Sequence, residues 1–364
     1  MAPQTVLITG GAGFIGSRLA SRLVGEGHEV VIADVLHPQV HDGRGWPADT
    51  PEAAVRYPVD VTSASQCDAL LRLCTPDVVV HLAAETGTGQ SLTQASRHGR
   101  VNVVGTTELL DALARAGHVP EHVVLASSRA VYGEGRWSAS DGSTYYAAPR
   151  SAAQLEAGQW DPQPPTAGLR AVAPLPHAAA TTEPRPTNVY AATKLAQEHI
   201  LGAWTVAMGS RFSVLRLQNV YGPGQSLSNP YTGIMSLFAR KALAHEQIDV
   251  YEGGQIIRDL VFVDDVVAAL QSCLGRSGSE PLLADIGSGR AVSLQEMAEF
   301  LAHETGAPEP LTSGHFRAGD VRAASADISH AATTLGYRPA VEPKAGLRRL
   351  LEWIAGDAPG DQGL

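Results

Sequence analysis

Residues 6–16, Val6-Leu7-Ile8-Thr9-Gly10-Gly11-Ala12-Gly13-Phe14-Ile15-Gly16, decide the fold. An apolar run of strand length ends at Thr9, and Gly10, Gly13 and Gly16 follow at three-residue spacing. Beyond them Ile15, Leu19 and Leu23 fall on one helical stripe, which stops in Gly25 and Gly27. Glycines between a strand and a helix allow a tight turn and a close backbone approach to a pyrophosphate. The helix N-terminus then offers unpaired N–H groups to the anion. Gly10, Gly13, Phe14, Ile15 and Gly16 are therefore candidate dinucleotide contacts. The next strand-like run ends at Asp34, where a carboxylate can accept from both hydroxyls of a ribose. That carboxylate repels a 2′-phosphate, and Val35, Leu36 and His37 bring no arginine beside it. The pattern predicts NAD in preference to NADP.

Working outward, residues 30–34, 78–83, 122–128 and 212–220 are further runs rich in Val, Ile and Leu, of the kind buried on both faces of a sheet. Helical periodicity lies between them, one stretch covering 101–116. Such alternation predicts an α/β fold, a Rossmann-type doubly wound parallel sheet with helices on both faces. After about residue 219 the regularity weakens. Helices are expected at 234–245 and after Ser293, where Ser293-Leu294-Gln295-Glu296 reads as a capping box. We therefore expect a dinucleotide-binding domain over 1–218 and a smaller α/β substrate domain over 219–364, with the chain crossing back near 259–270. Residues 137–186 stand apart, with eight prolines and the aromatics Trp137, Tyr145, Tyr146 and Trp160. A stretch of that length reads as structureless, and such segments inside a domain are either functional or disordered.

The 364 residues are 44% apolar and 18% charged, enough to build a core of two to three domains and to exclude global disorder. With 27 basic against 37 acidic residues the net charge is −10, which argues against coating a nucleic acid or an anionic membrane. Cys67, Cys74 and Cys273 form no CxxC pair and have no matched histidine spacing, so they read as reduced thiols and no metal site is expected. No apolar run approaches the roughly 20 residues of a membrane span. The first residues carry no basic stretch of a leader. Together these features predict a soluble, cytoplasmic protein.

Tyr190 and Lys194, four residues apart, share a helical face. A lysine beside a tyrosine favours the phenolate, and an oxidised nicotinamide adds positive charge, so the phenol becomes a candidate general base. Ser128 ends a strand run, and in open α/β sheets ligands bind at that end.

These pieces together resemble the extended branch of the short-chain dehydrogenase/reductase family, the nucleotide-sugar epimerases and dehydratases. The resemblance spans the chain. It rests on TGGAGFIG at 9–16, Asp60-Val61, HLAA at 81–84, SSxxVYG at 127–133, YxxxK at 190–194, RLQNVYGPG at 216–224, Arg258-Asp259 and RAGD at 317–320. It implies a catalytic set of Ser128, Tyr190 and Lys194, the last two also touching the cofactor. Asp60 and Val61 would lie at the adenine, with Leu82, Ala83 and Ala84 along the dinucleotide. Thr86 and Asn219 would face the sugar or diphosphate, Arg258 and Arg317 the diphosphate, and Asp320 the ribose. Arg216 and Gln218 read as structural, and Glu85 as a solvated loop charge. Read singly, Arg258 with Asp259 and Arg317 with Asp320 are ordinary ion pairs.

Relatives diverge at the two residues after the serine. Dehydratases carry an Asp-Glu pair there, sugar-acid decarboxylases a Glu and the 3,5-epimerases a Cys at the second position, whereas this chain has Arg129-Ala130. Alanine moves no proton, which leaves oxidation and re-reduction at one carbon, a 4-epimerisation through a transient 4-keto sugar. Arg129 is counted with the substrate contacts, without an assigned role. ETGTGQS at 85–91, SSRAVYGEG at 127–135 and GPGQSLSNPYTGI at 222–234 are most similar to the dTDP-L-rhamnose 4-epimerase subgroup. A nucleotide-sugar 4-ketoreductase and a silent NAD-binding protein are the other readings. The resemblance also implies a homodimer, through the helix of Tyr190 and the one near 101–116. The insertion joins the strand of Ser128 to the helix of Tyr190, which suggests a lid over the sugar; a subunit contact and a surface loop are its other readings.

Overall fold

The structure is a computed structural model that describes residues 2–357 except 42, 44, 228–232, 277 and 318. Seven strands form the large sheet: β1 (Thr5–Thr9), β2 (Glu29–Asp34), β3 (Val55–Pro58), β4 (Val78–His81), β5 (His122–Ser128), β6 (Arg211–Leu217) and β7 (Leu282–Ile286). They lie in the order 7-6-5-4-1-2-3, every neighbouring pair parallel. The winding direction reverses between β1 and β4, and the resulting crevice at the carboxyl ends is where such sheets bind ligands.

The continuous apolar runs follow from burial on both sides. Val6 and Ile8 pack with Leu19 and Leu23 of the Phe14–Gly25 helix, while Leu7 between them packs with Leu109 and Leu113 of the Gly105–Arg115 helix. Each such leucine contributes about 1.5–3 kcal/mol relative to exposure.

Three departures from the sequence reading position the site. The 212–220 run is two strands. Gln218 N donates to Ile286 O (2.8 Å), and the strand Asn219–Tyr221 then leaves the large sheet to pair with Ile257–Phe262. A small second sheet grows there, adding Ala291–Ser293 and Ala323–Ala324. Residues 259–270 cover the end of the Ile257–Phe262 strand and the start of the Val263–Leu274 helix; the strand that rejoins the large sheet is β7.

The helix expected at 101–116 opens instead with a π-helical turn, Gly99–Val104, ahead of Gly105–Arg115. Such turns are frequent at functional sites. This one carries buried Asn102, whose amide accepts from Glu85 N (2.7 Å) and donates to Glu85 O (3.0 Å) and Thr193 Oγ1 (2.9 Å).

The insertion is not structureless. Arg136–Ala139 is the centre of an antiparallel sheet flanked by Thr144–Tyr146 and Ala171–Pro174, with Trp137, Tyr145 and Leu155 buried. The prolines sit at strand ends and in loops, Pro162 O accepting from Tyr145 Oη (2.8 Å). Buried Arg150 ties the segment to the second half of the chain, pairing with Glu134 (2.9 Å) and Glu252 (2.6 Å).

Candidate functional site

The crevice widens into one cleft of about 1210 Å³, and every residue named above as a cofactor, substrate or catalytic candidate lines it. No described residue of 137–186 does, so the segment does not cover the sugar end as a lid. Of the 222–234 motif, residues 228–232 lie outside the described residues, as does Ala318 of the RAGD motif.

On the β1–β2 side the backbone forms a cradle. Gly10 has φ +69°, and a Cβ there would meet Ala83 N at 2.6 Å and Leu82 C at 2.8 Å. A Cβ on Gly16 would meet Gly10 O and Gly11 Cα, both at 2.6 Å. Asp34 closes this end, accepting from Ala12 N (3.1 Å) and Leu36 N (2.8 Å). Thr62 N holds Asp60 Oδ1 (2.9 Å) at the turn after β3. Glu85 is not solvated; it pairs with Arg97 at 2.6 Å, next to Thr86 on the cleft wall.

Because all three contacts at Gly16 are with rigid backbone, Gly16→Ala has nowhere to put a methyl group. We expect purified Gly16→Ala to lose its dinucleotide, read as the absorbance ratio at 260 and 280 nm. Its unfolding free energy should fall by about 1–3 kcal/mol, the usual cost of overpacking. Full dinucleotide retention would show that the helix start moves freely.

At the other end of the crevice Ser128 ends β5 and caps a short 3₁₀ turn, its hydroxyl accepting from Ala130 N (3.1 Å). Tyr190 opens the Val189–Met208 helix, which Asn188 caps by accepting from Ala191 N (2.9 Å). Burial raises the Tyr190 phenol, whereas a hydrogen bond with Ser128 and the charge of Arg129 pull it down. The Lys194 ammonium donates to Gln197 Oε1 (2.5 Å), and burial pushes it down to about 7 against the pull of Glu198. Gln197 is fixed in turn by Thr106 (2.8 Å), whose hydroxyl also meets His81 Nε2 (2.9 Å). The charge that acts on the phenol is therefore that of Arg129, whereas Lys194, the cation expected from the spacing, turns to Gln197 and Glu198.

The substrate candidates gather where the small sheet begins. Asn219 Oδ1 accepts from Arg129 Nε (3.0 Å). Arg258 pairs with Asp320 (2.8 Å) and not with Asp259, which is buried and accepts from Ser288 and Gly289. Arg317 stacks over Tyr251 at 5.9 Å. Arg216 is structural, a bidentate partner of buried Glu198. Gln218, read as structural, is buried on the cleft wall with both amide atoms lacking a hydrogen-bond partner among the described residues. Nothing in its spacing marks it, since the break between β6 and the next strand brings it there. Among the described residues no cluster of His, Cys, Asp and Glu fits a metal ion, and no helix is long and apolar enough to cross a membrane.

Comparison with known proteins agrees with this arrangement. A family model described as the NAD dependent epimerase/dehydratase family matches residues 6–154 and 168–282. The chain is 50% identical over 352 residues to a dTDP-L-rhamnose 4-epimerase of Burkholderia thailandensis, covering 97% of this chain and 95% of that one. Its structure is similar to that of a UDP-glucose 4-epimerase of Thermotoga maritima with UDP-glucose (TM-score 0.78, 26% identity, covering 97% and 99%). It is similar also to a Thermus thermophilus UDP-glucose 4-epimerase in complex with NAD (TM-score 0.75, 26% identity, covering 97% and 99%). Fold, cleft and the match across both halves lead to one conclusion: the chain belongs to the NAD-dependent epimerase/dehydratase family.

Proposed function

We propose that this enzyme catalyses 4-epimerisation of a nucleotide-diphosphate sugar, dTDP-L-rhamnose or a related hexose, through a transient 4-keto sugar. The observation that carries it is the end of β5. Tyr190 meets Ser128 and Arg129 there, and Ala130 adds no second group able to move a proton. The 50% identity to the Burkholderia enzyme supports the sugar assignment.

The residues present fit NAD. The turn that Gly10 and Gly16 let close on its own backbone takes the pyrophosphate, Asp34 the ribose hydroxyls, Asp60 and Val61 the adenine, and Leu82, Ala83 and Ala84 the span between. NAD held there would supply reversible hydride transfer at carbon 4, with no net redox change over a turnover. Tyr190 takes the proton of the 4-hydroxyl and later gives it back. Ser128 hydrogen-bonds the reacting oxygen and holds the phenol. Lys194, buried and fixed by Gln197, adds positive charge to the cofactor side. Thr86 and Asn219 orient the sugar, Arg258 and Arg317 face the diphosphate, and Asp320 the ribose.

We take residues 1–218 as the cofactor half and 219–364 as the substrate half, with β7 returning to the cofactor sheet. Two further parts of the reading rest on chemistry. Three free cysteines suit a reducing cytoplasm. Exposed Val206 and Met208 on the helix of Tyr190, with exposed Val104 before Gly105–Arg115, suit a homodimer, which sedimentation equilibrium tests.

The activity is tested by NMR of the purified protein with dTDP-L-rhamnose, UDP-glucose, UDP-glucuronate and GDP-mannose, without added cofactor. A new anomeric signal from an isomer of equal mass is the expected result. Silence across the panel, followed by turnover once NADH or NADPH and a 4-keto sugar are supplied, would overturn it in favour of a ketoreductase.

A further inference from the structure

We propose that Arg129 grips the sugar-side phosphate of the bound nucleotide sugar and so fixes the pivot about which the keto sugar turns. The inference rests on the epimerase reading above and gives a role to a residue whose type and position in sequence assign it none.

The first observation is an uncompensated charge. Among the described residues no carboxylate lies within 4 Å of Arg129, although its neighbours in the cleft are paired: Arg258 with Asp320 at 2.8 Å and Arg97 with Glu85 at 2.6 Å. Nearby Glu134 is occupied by Arg150 (2.9 Å) and by Arg322 N (2.9 Å). The guanidinium lines the cleft, where burial and the charge of Arg258 hold it down to about 10, so it still carries its charge at neutral pH. A half-buried cation on the cleft wall without a paired carboxylate is a ready partner for a ligand anion.

The second observation is how the fork is held. Arg129 donates Nε to Asn219 Oδ1 (3.0 Å), which fixes the plane of the guanidinium. Its two terminal nitrogens have no protein acceptor among the described residues and remain for a ligand. A planar pair of donors matches two oxygens of one phosphate. Arg258, by contrast, spends its fork on Asp320 Oδ1 and Ile257 O, both at 2.8 Å.

The third observation is position. Arg129 follows Ser128 directly at the end of β5, and its charge acts on Tyr190 as well as on Arg258 and Asp320. It thus stands between the group that moves the proton and the pair assigned to the nucleotide. On a nucleotide sugar the phosphate nearer the sugar lies between those ends. Arg317, over Tyr251, is left for the nucleotide-side phosphate. Inverting carbon 4 with one hydride donor requires the sugar to turn while its anchor stays, and a phosphate clamped next to the sugar supplies such an anchor.

The test is calorimetric titration of the NAD-loaded enzyme with dTDP and dTMP, and with UDP and UMP. Wild type is expected to bind a diphosphate at least about tenfold more tightly than its monophosphate. Arg129→Gln should abolish that preference and leave monophosphate binding unchanged, because only the second phosphate reaches the fork. Arg129→Lys, which keeps the charge without the fork, should lose most of the preference and serves if the glutamine variant does not fold. A diphosphate preference intact in either folded variant overturns the proposal and assigns Arg129 to the sugar or to Tyr190. A wild type that binds none of the four nucleotides overturns the nucleotide-sugar reading itself.

Discussion

Tyr190→Phe is expected to lower kcat for epimerisation by about 10³-fold while KM changes by less than about threefold, as for loss of a general acid–base group. The substitution removes one oxygen. The ring keeps its edge contact with His98 (6.3 Å), and the helix keeps its Asn188 cap, so the fold should be unchanged. The wild-type pH profile follows from the groups around the phenol. Burial raises it and so favours the protonated form, while Ser128 and Arg129 favour the phenolate. Abstraction of the 4-hydroxyl proton needs the phenolate, so kcat/KM should climb with pH until the phenol has ionised. The residual activity of Tyr190→Phe should lack that climb. A loss under tenfold, or the same profile in the variant, would move the base elsewhere.

Glu252→Ala is expected to destabilise the protein by about 3–5 kcal/mol, the usual consequence of stripping one partner from a buried ion pair. Glu252 is 1% exposed and sits at φ +53° followed by Gly253 at +66° and Gly254 at +78°, a left-handed run that a non-glycine residue holds only under constraint. Two buried guanidinium groups supply the constraint, Arg150 at 2.6 Å and Arg322 at 3.5 Å. Removal leaves Arg150 with Glu134 and Arg322 with half-exposed Asp161, which is too little negative charge for two buried cations. A Tm drop of roughly 6–15 °C measures it. The effect should reach the cleft, because Arg150 also donates to Asp320 O (2.8 Å). KM for the nucleotide sugar should therefore rise with little change in kcat. A Tm within about 2 °C of wild type would mean that the cluster adds nothing net. Through Arg150 the insertion ties Glu252 to Asp320 on the cleft wall, and none of its residues lines the cleft as the lid suggested by its position in the sequence would.

Much of the cleft was legible because its chemistry is local. The glycines of 10–16 must precede a helix, Asp34 must end a strand, and Tyr190 must lie one turn before Lys194. Each of these relations spans a few residues, where backbone geometry alone sets which groups meet. The insertion was not legible for the opposite reason. Its prolines signal broken local structure, whereas its order comes from Trp137, Tyr145 and Leu155 in a core and from Arg150 reaching Glu252. The partner of Arg258 was equally hidden, since adjacent Asp259 points to Ser288 while distant Asp320 closes the pair.

From the sequence alone came the α/β class, the cofactor-binding turn, the Ser128–Tyr190–Lys194 set and the narrowing to one-carbon chemistry through Ala130. The class and the turn depend on periodicities of two or 3.6 residues, while the catalytic set and the narrowing rest on the family resemblance. Only the tertiary structure decided which charges are neutralised: that Lys194 turns to Gln197, that Arg258 is held by Asp320, and that Arg129 is left uncompensated in the cleft. Coulomb energy depends on separation in space and on burial, and neither is a function of separation along the chain.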